Sequence, residues 1–223
     1  MASINSSQCK QAKKPISVFP ITGGSALEPA TKKQKKDFER RVSHIGVQGP
    51  HVRTIWSHVS IVFTQDDFRL RDYPHNGAMV INCAIGGYII HNVLVDNGSA
   101  ADILTAKAFE KMGLAQQDLQ PSDSPLCGFG GNKFEALGKI KQTVCFGEGK
   151  NTRAEEATFD VVDIDYPYNA IIGRPTLNAF EAVVHSAYLV MKIPSRYNVI
   201  TVFGSQEEAR KKQKKAGHHN ASE

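Results

Sequence analysis

The sequence predicts a mainly β domain over residues 77–203, a single-lobe barrel with one or two short helices and disordered flanks. Short apolar segments with strand composition recur along this region, and glycine-containing turns separate them. The chain has 223 residues, which fits one domain with tails, since compact domains usually run to roughly 100–200 residues. A two-lobed enzyme is therefore not expected.

The formal charge divides the chain into three parts. Residues 1–76 carry +6, residues 77–203 carry −3, and residues 204–223 carry +2. We expect residues 1–76 to be a basic, mostly disordered flank and residues 204–223 to be a polar tail. A nucleic-acid-binding domain needs basic residues gathered on one folded surface, so the mildly acidic central part disfavours a nucleic-acid partner.

The four cysteines show no CxxC pair and no regular spacing, which predicts free thiols in a reducing, cytoplasmic compartment. The longest mostly apolar run, residues 78–90, is interrupted by Asn82 and two glycines. It is too short to span a bilayer, so no membrane contact is expected.

A metal site is not expected at the three histidines His44, His51 and His58, although they are spaced by seven. Gly49 and Pro50 lie between them and deny the helix that such ligands would need. The sequence points to no cofactor either.

The first two strands are predicted at residues 78–85 and 88–95, joined by a tight turn at Gly86 and Gly87. The second strand is apolar almost throughout, which indicates that both of its faces are covered. It leads directly into Asp96. A carboxylate at the end of a buried strand is costly unless it is hydrogen-bonded or takes part in chemistry.

Asp96 opens the segment Asp96-Asn97-Gly98-Ser99, for which two interpretations stand. Asp-Asn-Gly is a common turn sequence, so Asp96 could serve the turn alone. The alternative is a catalytic carboxylate supported by Asn97, Gly98 and Ser99.

A short strand is predicted at residues 101–104 and a short helix at residues 105–112. Thr105 is a suitable N-cap and Gly113 a suitable stop after the last turn. Asp102, within the strand, is expected to be a surface or capping residue rather than a second catalytic acid.

A flexible hairpin is predicted where two strands, within residues 126–132 and 133–146, flank a glycine-rich tip. No Lys-Ser/Thr pair and no long helix follow this tip, which disfavours a phosphate-binding loop. The tip residues are Gly128, Phe129, Gly130 and Gly131.

The remaining predicted elements are a strand at 158–164, an apolar strand ending in Ile171-Ile172-Gly173, a helix with Pro175 in its first turn, and a closing hairpin at 182–193.

The order of these motifs resembles one subunit of a retropepsin, the aspartic protease of retroviruses and retrotransposons. The detailed likeness is to the protease segment of plant Ty3/Gypsy-type retrotransposon polyproteins, and it extends over most of residues 59–210. The segments that carry it are VLVDNGSAADIL (93–104), PLCGFGG (125–131) and YNAIIGRPTL (168–177), and residues 74–80 and 203–210 resemble sequences that flank the protease segment.

The resemblance implies an aspartic endopeptidase with a polypeptide substrate. Two Asp96 carboxylates, one from each copy of a homodimer, would activate a water molecule. Gly128 to Gly131 would form the tip of a flap over the peptide, and Ile171, Ile172 and Gly173 would pack through the Asp96 loop.

One residue departs from the family pattern, in which Thr or Ser follows the catalytic Asp and its hydroxyl fixes the paired carboxylates. Here the residue is Asn97. An amide also donates and accepts hydrogen bonds, but its shape differs. The alternative function is therefore an inactive retropepsin-like remnant that dimerises or binds peptides.

Overall fold

The computed structural model describes residues 55–56, 58–122, 125–127 and 133–211, all within one compact unit, His51–Glu223. Helices within these residues are short, and none has the length and apolar character needed to cross a membrane. The elements are β1 (Met79–Ile85), β2 (Tyr88–Val95), β3 (Asp102–Thr105), α1 (Ala106–Lys111), β4 (Leu126–Cys127), β5 (Lys133–Phe134), β6 (Gly138–Glu148), β7 (Asn151–Val162), β8 (Ala170–Ile172), α2 (Arg174–Ala179), β9 (Val183–His185), β10 (Val190–Ile193) and β11 (Ile200–Phe203).

Six strands close a barrel in the order β1, β2, β8, β3, β7, β6. The pairs β2–β8 and β3–β7 are parallel, and the other neighbours in the barrel are antiparallel. A three-stranded sheet with β10 in its centre and a two-stranded β4–β5 ribbon complete the sheets of the described residues. The predicted fold class, a mainly β barrel with short helices, is confirmed.

The β1–β2 hairpin forms where the sequence predicts it. Gly86 and Gly87 have φ values of 59° and 84°, in the left-handed region that glycine adopts without steric cost. Both faces of β2 are covered at its C-terminal end, as its apolar composition predicts, whereas Tyr88 and Ile89 at its start are exposed. Val93 and Val95 face the main core, whereas Leu94 belongs to a second apolar cluster with Ile171.

The limits of two strands differ from the prediction. β6 begins at Gly138 rather than at residue 133, and β7 begins at Asn151 rather than at residue 158. The first half of β7 alternates polar exposed residues with buried ones, so it lacks a continuous apolar signal, and its pairing with β6 creates the strand. β11 was not predicted from the sequence.

Part of the N-terminal flank contacts the domain. Lys192 Nζ donates to Val62 O at 2.7 Å and pairs with Asp67 Oδ2 at 2.8 Å, and both side chains of the ion pair are largely buried. Gln206 Oε1 accepts hydrogen bonds from the Arg71 and Asp72 amides. The boundary at residue 77 stays a prediction, and residues 62–72 already pack on the chain beyond it.

The C-terminal end of α2 is held by a buried arginine from β7. The Arg153 guanidinium donates to Ala179 O at 2.7 Å, Phe180 O at 2.8 Å and Pro194 O at 3.0 Å, and it pairs with Glu155 at 2.9 Å. These carbonyls include the last ones of the helix, which have no partner within it. Arg153 therefore joins α2 and the segment before β11 to the barrel wall.

Replacement of Arg153 by methionine should lower the free energy of unfolding by about 3 kcal/mol or more, because buried carbonyl groups lose their charged donor. Lys141→Met is the matched control, since the Lys141–Glu156 pair is exposed on the neighbouring strand and should contribute less than about 1 kcal/mol. Urea unfolding of both variants measures the difference. Equal losses would contradict the role assigned to Arg153.

Candidate active site

The strand β8 is inserted between the two strands that carry the Asp96 loop. It pairs in parallel with β2, with Val95 opposite Ile172, and antiparallel with β3, with Ile103 opposite Ile171. The Asp96 amide continues this pairing by donating to Ile172 O at 2.9 Å. The apolar segment predicted to accompany Asp96 is thus in direct contact with its loop.

Gly173 brings the end of β8 against the backbone of the same loop. A Cβ atom at this position would lie 2.3 Å from Ala101 O and 3.0 Å from Ser99 O, both of which are backbone atoms that cannot swing away. The φ of Gly173 is −95°, so its backbone does not itself require glycine. Close approach of the two segments is the reason that no side chain fits.

The Asp96 carboxylate lies at the end of β2 and is partly exposed. Its Oδ1 accepts a hydrogen bond from the Gly98 amide at 2.8 Å, and its carbonyl accepts one from the Ser99 amide at 3.2 Å. Asn97 and Gly98 are exposed. The turn thus uses one carboxylate oxygen, and Oδ2 makes no hydrogen bond within the described residues.

The far side of the loop is closed by Ser99 and by the start of α2. Ser99 Oγ donates to Ala101 O at 2.6 Å, and Ser99 O accepts from the Arg174 amide at 3.0 Å. The Arg174 guanidinium reaches Gly98 O at 3.5 Å, a long contact. Arg174 was not among the predicted site residues; its position directly after Gly173 is the signal that could have found it.

Two tyrosines lie near the Asp96 loop and were also missed. The rings of Tyr166 and Tyr168 are 5.3 Å apart, and Tyr168 is buried in the second apolar cluster. Partial burial raises the pKa of Tyr166, which is still 39% exposed, and the charges of Tyr168 and Asp96 raise it further. Tyr166 therefore stays a neutral phenol, able to donate a hydrogen bond.

Asp102 serves as a cap for α2 and is not a surface residue, its side chain being 1% exposed. Its Oδ1 accepts from the Gly173 amide at 2.7 Å and its Oδ2 from Thr176 Oγ1 at 2.8 Å. Burial raises the pKa of Asp102, although the hydrogen bonds from Thr176 and Gly173 oppose this shift. Because both oxygens are occupied in holding α2, Asp102 does not complete a pair with Asp96.

The predicted flap tip, Gly128, Phe129, Gly130 and Gly131, lies outside the described residues. Its base is described: β4 and β5 pair antiparallel, with Leu126 opposite Phe134. The residues that the structure describes contain no group of three or more His, Cys, Asp or Glu placed to hold a metal ion.

Comparison with known proteins gives distant structural likenesses. No protein-family model and no curated protein matches the chain. The retroviral protease-like domain of Ddi1 from Leishmania major has a TM-score of 0.46 at 19% identity, covering 60% of this chain and 98% of that domain. A retropepsin-like aspartic protease from Rickettsia conorii has a TM-score of 0.40 at 19% identity, covering 56% and 90%. Both likenesses are remote, and the function proposed below rests on the site itself.

The raised pKa of Asp102 predicts a pH-dependent stability. The Asp102 carboxyl group binds a proton at a higher pH in the folded chain than in the unfolded chain, where its pKa has the ordinary value of 3.8. Folding is therefore accompanied by proton uptake as the pH falls towards 3.8. The free energy of unfolding of the wild type, relative to that of Asp102→Asn, should therefore rise as the pH is lowered from 7 to 4. Urea titrations of both proteins across this range test the sign; a constant difference, or one that shrinks in acid, would contradict it.

Proposed function

We propose that this protein is a retropepsin-type aspartic endopeptidase in which two copies each supply one Asp96 carboxylate. The observation that carries the proposal is the insertion of β8 between β2 and β3, with Gly173 against the loop backbone. This arrangement fixes the Asp96 loop from both sides and leaves a carboxylate partly exposed at its mouth.

Two carboxylates at close range suffice for peptide hydrolysis without a metal or a covalent intermediate. Their negative charges repel, so the pair holds one proton. The ionised carboxylate takes a proton from water, whose oxygen attacks the peptide carbonyl carbon, while the protonated carboxyl group gives its proton to the carbonyl oxygen. Collapse of the tetrahedral intermediate breaks the C–N bond: the nitrogen leaves with a proton from the pair, and one hydroxyl group of the intermediate returns its proton to the pair.

A two-fold homodimer supplies the second carboxylate in this proposal. Asp102 is the acidic residue nearest to Asp96 along the chain, and both of its carboxylate oxygens accept hydrogen bonds from Gly173 and Thr176. A two-fold axis would bring the same loop of another copy opposite Asp96. Gly98, which carries no side chain and is exposed, allows two such loops to approach each other.

The finer identity of the substrate is also a proposal. The ordered motifs favour a polyprotein of a plant Ty3/Gypsy-type retroelement as the peptide substrate, with residues 128–131 closing over it as a flap. Cys83 and Cys145 are free thiols, which fits the cytoplasmic compartment expected from the sequence.

A remnant without activity is the alternative, and Asn97 is the observation that favours it. The Asn97 side chain is exposed and makes no hydrogen bond within the described residues. In the proposed dimer this amide could bond to the partner copy, and whether that bond can replace the one from a hydroxyl separates the enzyme from the remnant.

Asp96→Asn should lower the cleavage of an unstructured polypeptide by at least about 100-fold, because the general base and the shared proton are lost. Asp163→Asn, an exposed carboxylate just beyond β7, is the matched control and should cleave like the wild type. Gel and mass-spectrometric assays of the full chain with casein, from pH 4 to pH 7, measure both.

Mixing the variants tests the shared site in the same assay. An equal mixture of wild type and Asp96→Asn should retain about a quarter of the activity of fully wild-type dimers, since copies pair at random. An Asp96→Asn protein that still cleaves would rule out the mechanism, and activity falling only to half would rule out the shared site.

Asn97→Thr separates the active enzyme from the remnant. If the amide already bonds across the dimer, kcat should change by less than about tenfold, equivalent to about 1.4 kcal/mol. If the bond is missing, the threonine hydroxyl should tighten dimerisation and raise cleavage from near zero. Sedimentation and turnover of both proteins provide the measurement. Folded dimers that cleave nothing in either form would leave the remnant interpretation standing.

A further inference from the structure

A cavity of about 350 Å³ opens where the Asp96 loop ends. Residues 100–102, which follow the loop, form one wall, and Pro175 and Thr176 at the start of α2 form another. The third wall consists of β6 and β7 and includes Lys139 and Asp160. Since a water molecule occupies about 30 Å³ in the liquid, this space can hold a long amino-acid side chain.

Asp160, in the β7 wall, is a buried carboxylate whose charge is stabilised by few hydrogen bonds. It is 8% exposed, and its one side-chain hydrogen bond within the described residues comes from Ser122 Oγ to Oδ1 at 3.4 Å, beyond the usual range for an O–H···O bond. Those residues contain no fully enclosed side-chain oxygen that lacks a partner. The unbonded Oδ2 is therefore not fully enclosed, and Asp160 lines the cavity.

The charges around Asp160 favour a cation. Asp102 lies close enough for the charge of Asp160 to raise its pKa, and Glu156 at the rim is paired with Lys141 at 2.6 Å. Lys139 lies opposite Asp160 in the β6–β7 register and lines the cavity, yet its nitrogen is not within 4 Å of the carboxylate. A buried carboxylate in such a setting is stabilised by a positively charged partner.

We propose that this cavity binds the lysine or arginine side chain of a peptide substrate, with Asp160 as the partner of its charge. The inference rests on the proposed peptidase function and adds the substrate class to it. The cavity begins four residues beyond Asp96, so the basic residue would flank the scissile bond rather than form it. Lys139 is the competing cation from this chain, and its removal should strengthen the site.

The first test measures binding and does not depend on catalysis. The full chain, labelled with ¹⁵N, is titrated with acetyl-arginine amide and with acetyl-citrulline amide, which has the same shape without the charge. The amide signals of residues 100–102 and 158–160 should shift on titration, and the dissociation constant from these shifts should be at least about tenfold lower for the arginine compound. Asp160→Asn should abolish the preference, Asp163→Asn should keep it, and Lys139→Met should increase it.

Equal responses to the two compounds, or a preference that survives in Asp160→Asn, would overturn the proposal. Should Asp160→Asn fail to fold, as judged by the dispersion of its amide signals, Lys139→Met decides: an unchanged or weaker preference for arginine would overturn the proposal just as well.

The second test measures cleavage of peptides that carry arginine or citrulline at each position around the scissile bond. The ratio of kcat/KM should be at least about tenfold at one flanking position and should fall to near one in Asp160→Asn. Cleavage without such a preference would overturn this inference and leave the peptidase standing. Absence of cleavage with every peptide would instead count against the peptidase, and the binding titration would still decide the role of the cavity.

Discussion

The short helix α2 is held at both ends by buried charges, and the candidate site depends on this attachment. Asp102 accepts hydrogen bonds at its N-terminal end, and Arg153 donates to its last carbonyls. A six-residue helix has little stability alone, and charges of these signs at these ends also complement its dipole. Because the two residues belong to β3 and β7, the helix is fixed to the barrel wall.

This attachment determines what the neighbouring segments can do. β8 and Gly173 directly precede α2, so fixing the helix also fixes the strand on which the Asp96 loop rests. The loop therefore derives its position from the barrel rather than from its own turn. Asp102 has this structural role although burial disfavours its charged form, and Asp96 keeps one carboxylate oxygen that makes no hydrogen bond among the residues described.

Features set by local sequence could be predicted, and those set by distant partners could not. The Gly86-Gly87 turn and the Thr105 cap of α1 follow from neighbouring residues, and both formed as expected. For Asp102 the sequence left a surface role and a capping role open, because its partners, Gly173 and Thr176, are 71 and 74 residues away. The polar first half of β7 likewise becomes a strand only through its long pairing with β6. The cavity that Asp160 lines also has walls from α2 and β3, and no sequence pattern predicts that these elements meet there.

The insertion of β8 between β2 and β3 also determines when the site can form during synthesis. β2, the Asp96 loop and β3 leave the ribosome well before β8, and the gap between the two strands stays open until residue 173 has emerged. Pairing of segments so far apart in the chain is slow, because the intervening residues must lose conformational entropy before any contact stabilises the pair. A nascent chain therefore carries an Asp96 loop without its support. In the proposed dimer, a chain could offer its partner an ordered carboxylate only after α2 is complete, so proteolysis would begin only after the domain has left the ribosome.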